Sequence, residues 1–271
     1  MNQPETDELT KRIEENLTRI RNRLIILSGK GGVGKTTVAV NIALALAQAG
    51  RRVGILDTDI HGPNVPLMLG IQEAEPTVAP EGGFLPYTGP LGIKAMSMAL
   101  LVKNAPIIWR GPLKAKAIME FLGNVSWGEL DWLVIDSPPG TGDEPLSIAQ
   151  LVRATIAIIV TTPQEVSALD ARRALEFARM VNLRVIGIVE NMSEFICPHC
   201  GKASPLFPAG GAIRMAQELA VPVLIQLPFI PQAAADADQG KSVVLAQPES
   251  PLTLKFQHLA QELIKQEERK L

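Results

Sequence analysis

The chain has 271 residues, 46% of them hydrophobic, enough to bury a large core. Lys and Arg total 26 against 28 Asp and Glu, and the net charge of -2 gives no electrostatic ground for nucleic acid or an anionic membrane as partner. With two cysteines, no apolar run of membrane-spanning length and an acidic, polar N-terminus, a disulfide scaffold is excluded and a cytoplasmic protein is expected.

Over residues 6–23, Leu9, Ile13, Leu17 and Ile20 recur at helical steps, which predicts a short amphipathic helix on the outside of the domain. The chain is thus divided into an N-terminal helix, 1–22, and a single domain, 23–271. Leu24-Ile25-Ile26-Leu27 is short and wholly apolar, as in a strand buried on both faces of a parallel sheet. Ser28-Gly29-Lys30-Gly31-Gly32-Val33-Gly34-Lys35-Thr36-Thr37 then matches G-x-x-x-x-G-K-[ST], followed by helical spacing through Val38, Ile42 and Leu46. The glycines let the backbone curl so that N–H groups point inward, and the helix N-terminus adds its positive dipole end. A polyphosphate fits this loop, with residues 29–37 as the binding set: Lys35 between the β- and γ-phosphates, the Thr36 hydroxyl on Mg²⁺ and Thr37 on the α-phosphate.

A second buried strand, Val53-Gly54-Ile55-Leu56, delivers Asp57-Thr58-Asp59 at its carboxyl end, where open parallel sheets bind ligands. Asp57 and Asp59 are expected to face the P-loop, where a carboxylate orients the attacking water or holds the metal's water shell. Residues 73–92 read as irregular, and 91–98 as part of an edge hairpin. Trp109 and Arg110 precede a helix over 114–122 whose apolar face is Ala117, Ile118, Phe121 and Leu122; Arg110 is given no role. Trp132-Leu133-Val134-Ile135-Asp136 has the Walker B form, with Asp136 holding Mg²⁺ through a water. Ser137-Pro138-Pro139-Gly140-Thr141-Gly142-Asp143 reads as a segment that moves with the γ-phosphate, or as a tight turn in which Asp143 caps the next helix.

Residues 154–161 form a fourth strand, and 163–180 a helix directing Val166, Leu169, Ala174 and Phe177 at the sheet. A fifth strand, Val185-Ile186-Gly187-Ile188-Val189, leads to Asn191, either a turn residue or a reader of adenine's N6 and N7 edge. No Asn-Lys-x-Asp is present, so ATP is expected over GTP. The two thiolates of Cys197-Pro198-His199-Cys200 cannot complete a tetrahedral site. Three arrangements stand open: zinc with His199, a redox dithiol, or a two-fold dimer pooling four thiolates around a shared cluster. Val223-Leu224-Ile225-Gln226-Leu227 is the last strand, Pro228-Phe229-Ile230-Pro231 a loop over the base, and Ser250-Pro251 starts a helix with Leu252, Phe256, Leu259 and Leu263 on one side.

Lys30 together with Lys35 in Lys-Gly-Gly-Val-Gly-Lys-Thr resembles the deviant Walker A of the ParA, MinD and nitrogenase iron protein superfamily. Asp57-Thr58-Asp59-Ile60-His61-Gly62-Pro63, Trp109-Arg110-Gly111-Pro112, residues 136–143, and Asn191-Met192-Ser193 followed by Cys197-Pro198-His199-Cys200 together resemble the Mrp/ApbC-type iron-sulfur cluster carrier ATPases. The resemblance implies a P-loop NTPase fold, three α/β/α layers about a mostly parallel sheet. It implies a homodimer in which Lys30 reaches the partner's phosphates, Asp59 activates water, and Cys197 and Cys200 bind a bridging [4Fe-4S] cluster destined for apo iron-sulfur proteins. Hydrolysis of ATP with Mg²⁺ is expected to be slow. The rival is a MinD- or ParA-like spatial organiser, which explains the nucleotide motifs and leaves the cysteines without a role.

Overall fold

Short apolar strands alternate with helices along most of the chain, and the computed structural model arranges them as one sheet covered on both faces. It describes residues 3–59, 62–75, 77–79, 82–97, 100, 111–140, 142–208 and 210–269. Ile60, His61, Trp109, Arg110 and Thr141 lie outside them, as does the side chain of Asp143, so the readings placed on these residues stay as expectations.

Helix α1 (Gln3–Thr18) ends earlier than its periodicity predicts, because strand β1 (Ile20–Leu27) already starts at Ile20. From Ile20 to Arg23 inward and outward residues alternate in pairs, the period of a strand, and Ile20 faces Leu130 across the ladder. Leu9, Ile13 and Leu17 are buried, and Asn16 Nδ2 donates to the Leu122 carbonyl at 2.8 Å, so α1 is docked onto the domain.

After the P-loop come α2 (Lys35–Gln48), β2 (Val53–Asp57), α3 (Val65–Met68), a small hairpin of β3 (Thr77–Val78) and β4 (Phe84–Leu85), then β5 (Tyr87–Thr88) and β6 (Lys94–Ser97). The pair β5 and β6 is antiparallel, as the expected edge hairpin requires. The chain continues with α4 (Gly111–Gly123), β7 (Leu130–Asp136), α5 (Asp143–Leu151), β8 (Ile156–Thr161), α6 (Glu165–Met180), β9 (Val185–Ile196), β10 (Ala203–Ser204), α7 (Gly211–Glu218) and β11 (Val223–Phe229). Three helices close the chain: α8 (Pro231–Asp238), α9 (Val243–Ala246) and α10 (Pro251–Glu268), the last capped by Ser250, whose hydroxyl accepts from the Thr253 N–H.

The sheet order is β10-β9-β8-β1-β7-β2-β6-β5, with β11 on the far side of β9; only β5 and β10 run antiparallel to their neighbours. One face packs on α2, α3, α9 and α10 through Val38, Ile42, Leu46, Phe256 and Leu259; the other packs on α1, α4, α5, α6 and α7 through Leu9, Phe121, Ile148, Leu175 and Met215. The central strand β1 lies between β7 and β8, so the loop that leaves it emerges at the middle of the sheet's carboxyl edge.

Three expectations change here. On α6, Ala174 and Phe177 are buried, whereas Val166 and Leu169 are 65% and 58% exposed. The inward face is instead built of Ser167, Ala168, Ala171, Ala174, Leu175 and Ala178, small side chains that let the helix lie close to the sheet. Strand β9 does not stop at Val189 but runs on to Ile196, because β11 continues beside it with Leu227 opposite Asn191 and Phe229 opposite Phe195. Pro228 is correspondingly part of β11, and after Ile230 the chain enters helix α8, begun by Pro231 in the first turn, where a missing N–H costs nothing.

Candidate functional site

The sheet register assembles the site. Asp57 faces Asp136 on one side and Ser97 on the other, and Ile26 faces Asp136, so the ends of four strands, β6, β2, β7 and β1, meet beneath the P-loop. Lys35, 6% exposed, donates from Nζ to Asp136 Oδ1 at 2.6 Å, and the Thr36 hydroxyl donates to Oδ2 at 2.7 Å. The two residues expected to meet phosphate and Mg²⁺ are thus held on the Walker B carboxylate. Burial raises the Asp136 carboxyl above its ordinary value, while the Lys35 charge and hydrogen bond pull it down. Asp57 is pushed up further: burial is the main cause and the Asp136 charge adds to it, against hydrogen bonds from Ser97 Oγ at 2.9 Å and the Asp59 N–H at 3.1 Å.

The cavity above these groups has a volume of 440 Å³, within the range of small-ligand sites. Ser28, the loop residues 30–37, Asp59 and Pro139 line it, and Gly140 N–H donates to Ser28 carbonyl at 3.0 Å, tying the loop after β7 to the P-loop. Gly32 and Gly34 have φ of 77° and 84°, the left-handed region that the curled loop requires. Lys30 is half-buried at the rim and forms no ion pair with a described residue. The residues fit a magnesium nucleotide: backbone N–H groups and two lysines for phosphate, and a hydroxyl plus carboxylates of the hard-oxygen type for Mg²⁺.

Of the two acids expected to face the P-loop, Asp59 lies in the cavity lining and Asp57 does not. Asp59 lines the cavity and accepts from the Gly62 N–H at 3.2 Å, whereas Asp57 is sealed below it. Asn191 and Pro228 lie outside the cavity lining. The Asn191 side chain is tucked beneath the P-loop, its Nδ2 donating to the Val33 carbonyl at 2.9 Å. Wall positions that sequence reasoning missed are Asn64, Leu67 and Met68 from α3 and its approach, and Ala234, Ala237 and Asp238 from α8. The Pro-rich flank of α8 hid that helix, and its alternating Ala and Asp carry no amphipathic signal.

The cysteines form a second site. Strands β9 and β10 pair antiparallel, and Cys197, Pro198, His199, Cys200 and Gly201 make the connection at the tip. Cys197 N–H donates to Lys202 carbonyl at 3.1 Å and Gly201, at φ 68°, donates back to Cys197 carbonyl at 2.9 Å, so the turn is closed on both sides. The Cys197 thiol is held below its ordinary value by the backbone N–H groups of His199 and Cys200, with help from the Cys200 thiol, which favours the thiolate that binds metal. Cys200 is exposed, and among the described residues no group of three or more His, Cys, Asp or Glu comes together as a metal site. No helix among them is long and apolar enough to cross a membrane.

Known proteins are similar to this chain in both sequence and architecture. The iron-sulfur cluster carrier protein of Methanocaldococcus jannaschii is 49% identical over 237 residues, 86% of this chain and 81% of that protein. The one from Saccharolobus solfataricus is 46% identical over 257 residues, 94% and 86% of the two chains. A nucleotide-binding protein of Archaeoglobus fulgidus in complex with ADP superposes with a TM-score of 0.79 at 39% identity, over 91% of this chain and 96% of that one. The Mg-ADP complex of the septum site-determining protein MinD from Pyrococcus horikoshii gives 0.69 at 24% identity, over 93% and 99%, and establishes the shared P-loop NTPase fold. The family model described as NUBPL iron-transfer P-loop NTPase, of the ParA group, matches residues 19–264, and the chain belongs to this family.

Proposed function

We propose that the protein is an ATP-dependent iron-sulfur cluster carrier: a cytoplasmic homodimer that holds a [4Fe-4S] cluster between its two cysteine hairpins and passes it to apo-proteins. The observation that carries this reading is a hairpin that pairs a half-buried, thiolate-favouring Cys197 with an exposed Cys200, half a ligand set, on a chain whose relatives are named as cluster carriers. A second copy completes the set by two-fold symmetry. Val166 and Leu169, exposed on α6, give such a dimer apolar area to bury.

The nucleotide half of the cycle uses the residues already in place. On arrival of ATP, loop N–H groups take the phosphates, and Lys35 transfers its ammonium from Asp136 to them. Thr36 and, through water, Asp136 would hold Mg²⁺, which would supply charge neutralisation for the phosphates. Asp59, which lines the cavity, orients the attacking water, and Lys30 of the partner subunit supports the leaving charge, so turnover is slow until two protomers close. In this scheme Pro228 meets the base, and Asn191 offers it the Oδ1 acceptor while Nδ2 stays on the Val33 carbonyl. A spatial-organiser role leaves the cysteine hairpin without a task. Reconstitution under anaerobic conditions with iron and sulfide tests the proposal: wild type gains the visible absorbance of a Cys-ligated iron-sulfur cluster. Unchanged absorbance in Cys197→Ala or Cys200→Ala protein would overturn it.

A further inference from the structure

We propose that Asn191 and Met192 are positioning residues that transmit the state of the P-loop along β9 to the cysteine hairpin, an inference that rests on the nucleotide and cluster sites proposed above. The Val33 carbonyl that accepts from Asn191 belongs to the same peptide unit as the Gly34 N–H. In a trans peptide these two groups point in opposite directions, so the Asn191 hydrogen bond aims the Gly34 N–H away from β9, on the loop that lines the nucleotide cavity. A phosphate on that N–H polarises the peptide and strengthens the bond to Asn191; loss of the phosphate weakens it.

Loop and strand cannot move independently at this point. A β-carbon on Gly34 would lie 2.2 Å from Asn191 Nδ2 and 4.0 Å from the Met192 side chain, so the contact leaves no slack. Met192 itself has φ 56°, a left-handed conformation that a non-glycine residue holds inside a strand only when its surroundings impose it. Glu190, two residues earlier, is 2% exposed, and its Oε2 has no hydrogen-bond partner among the described residues. Its other oxygen accepts from Gln226 Nε2 at 2.6 Å, so this buried carboxylate is held on one side only. Beyond the kink the strand is firmly tied: Ser193 Oγ donates to Leu227 carbonyl at 3.1 Å, and Phe195 stacks on Phe229 at 6.5 Å between ring centroids. A change of state at Met192 therefore moves 193–197 together with residues 227–229 of β11, over a reach of about 20 Å from Asn191 to Cys197.

The test uses the full chain, stripped of metal and kept anaerobic. The alkylation rate of Cys197 and Cys200 by iodoacetamide is measured at one fixed pH, without nucleotide and with saturating MgADP or a non-hydrolysable MgATP analogue. In wild type the nucleotide is expected to change the rate by about fivefold or more, the lower end of ordinary allosteric coupling. Asn191→Ala removes the hydrogen bond and Met192→Gly removes the conformational constraint; in each the ratio is expected to fall to about one while circular dichroism stays native. No nucleotide effect in wild type, or the wild-type ratio in either folded variant, would overturn the proposal. If Asn191→Ala fails to fold, Met192→Gly decides alone. Because the readout needs no cluster, a failure to bind iron refutes the proposed cargo without deciding this coupling.

Discussion

Asp136→Asn isolates what the buried Lys35 requires. In the wild type Asp136 is fully buried, and its two oxygens take Lys35 Nζ at 2.6 Å and Thr36 Oγ at 2.7 Å. Asparagine keeps one acceptor and replaces the other by a donor, leaving an ammonium that is 6% exposed without its counter-charge. Breaking a buried pair in this way costs about 3–5 kcal/mol, and the retained acceptor puts the change near the lower bound, about 3 kcal/mol. At about 2–4 °C per kcal/mol for a domain of this size, the melting temperature should drop by about 6–12 °C. ADP without Mg²⁺ should narrow the gap, because its phosphates supply Lys35 with a counter-charge that is absent from the unliganded variant. In the double variant Lys35→Met with Asp136→Asn the stranded charge is gone, so its cost should be less than the sum of the two single changes. Urea unfolding of the four proteins measures all of this. An Asp136→Asn stability within about 0.5 kcal/mol of wild type, or strict additivity in the double variant, would show that the pair does not hold Lys35 as described.

The loop glycines should differ sharply: at Gly34 a left-handed φ and the Asn191 contact predict that Gly34→Ala weakens nucleotide binding by at least about tenfold, whereas Gly31→Ala, with nothing within 4 Å of its β-carbon, should keep stability within about 0.5 kcal/mol. Titration calorimetry and unfolding would show equal effects if the two positions were equally constrained. Asp57 and Asp136 both hold their protons more tightly folded than unfolded, so their contribution is neutral below 3.8 and becomes a destabilisation as the pH rises through the raised folded values. Asp57→Asn, which cannot ionise, should therefore lessen the loss of stability as the pH rises above 3.8 in urea unfolding; an unchanged pH profile would contradict it. Val166→Asp and Leu169→Asp, on exposed positions of α6, should leave monomer stability within about 0.5 kcal/mol yet abolish the nucleotide-induced dimer in sedimentation; an undisturbed dimer would remove α6 from the interface.

The nucleotide site was legible in the sequence because its chemistry is local. Glycines at fixed offsets, a Lys-Thr pair and an apolar run ending in Asp136 occupy the ends of strands that any parallel sheet brings together, and register alone then sets Asp57 beside Asp136. What sequence reasoning missed depends on tertiary partners. The strand is expected to end at Val189, with Asn191 a turn residue or a base reader, and it runs on to Ile196 because β11 lies alongside and the P-loop takes the Asn191 amide. On α6 the expected inward set is half right: Ala174 and Phe177 are buried, while Val166 and Leu169 face solvent and Ala168, Ala171 and Leu175 take their place. The α8 wall of the cavity has no motif at all, since its role is shape rather than chemistry.

If two chains share one cluster through Cys197 and Cys200, the stoichiometry must show it. The deciding quantity is the iron and sulfide content, together with the native mass, of protein purified and reconstituted without oxygen. A dimer carrying about two iron and two sulfide per chain is expected, reverting to metal-free protein in Cys197→Ala and in Cys200→Ala. One zinc and no sulfide per chain, or a full complement of iron on a monomer, would contradict it.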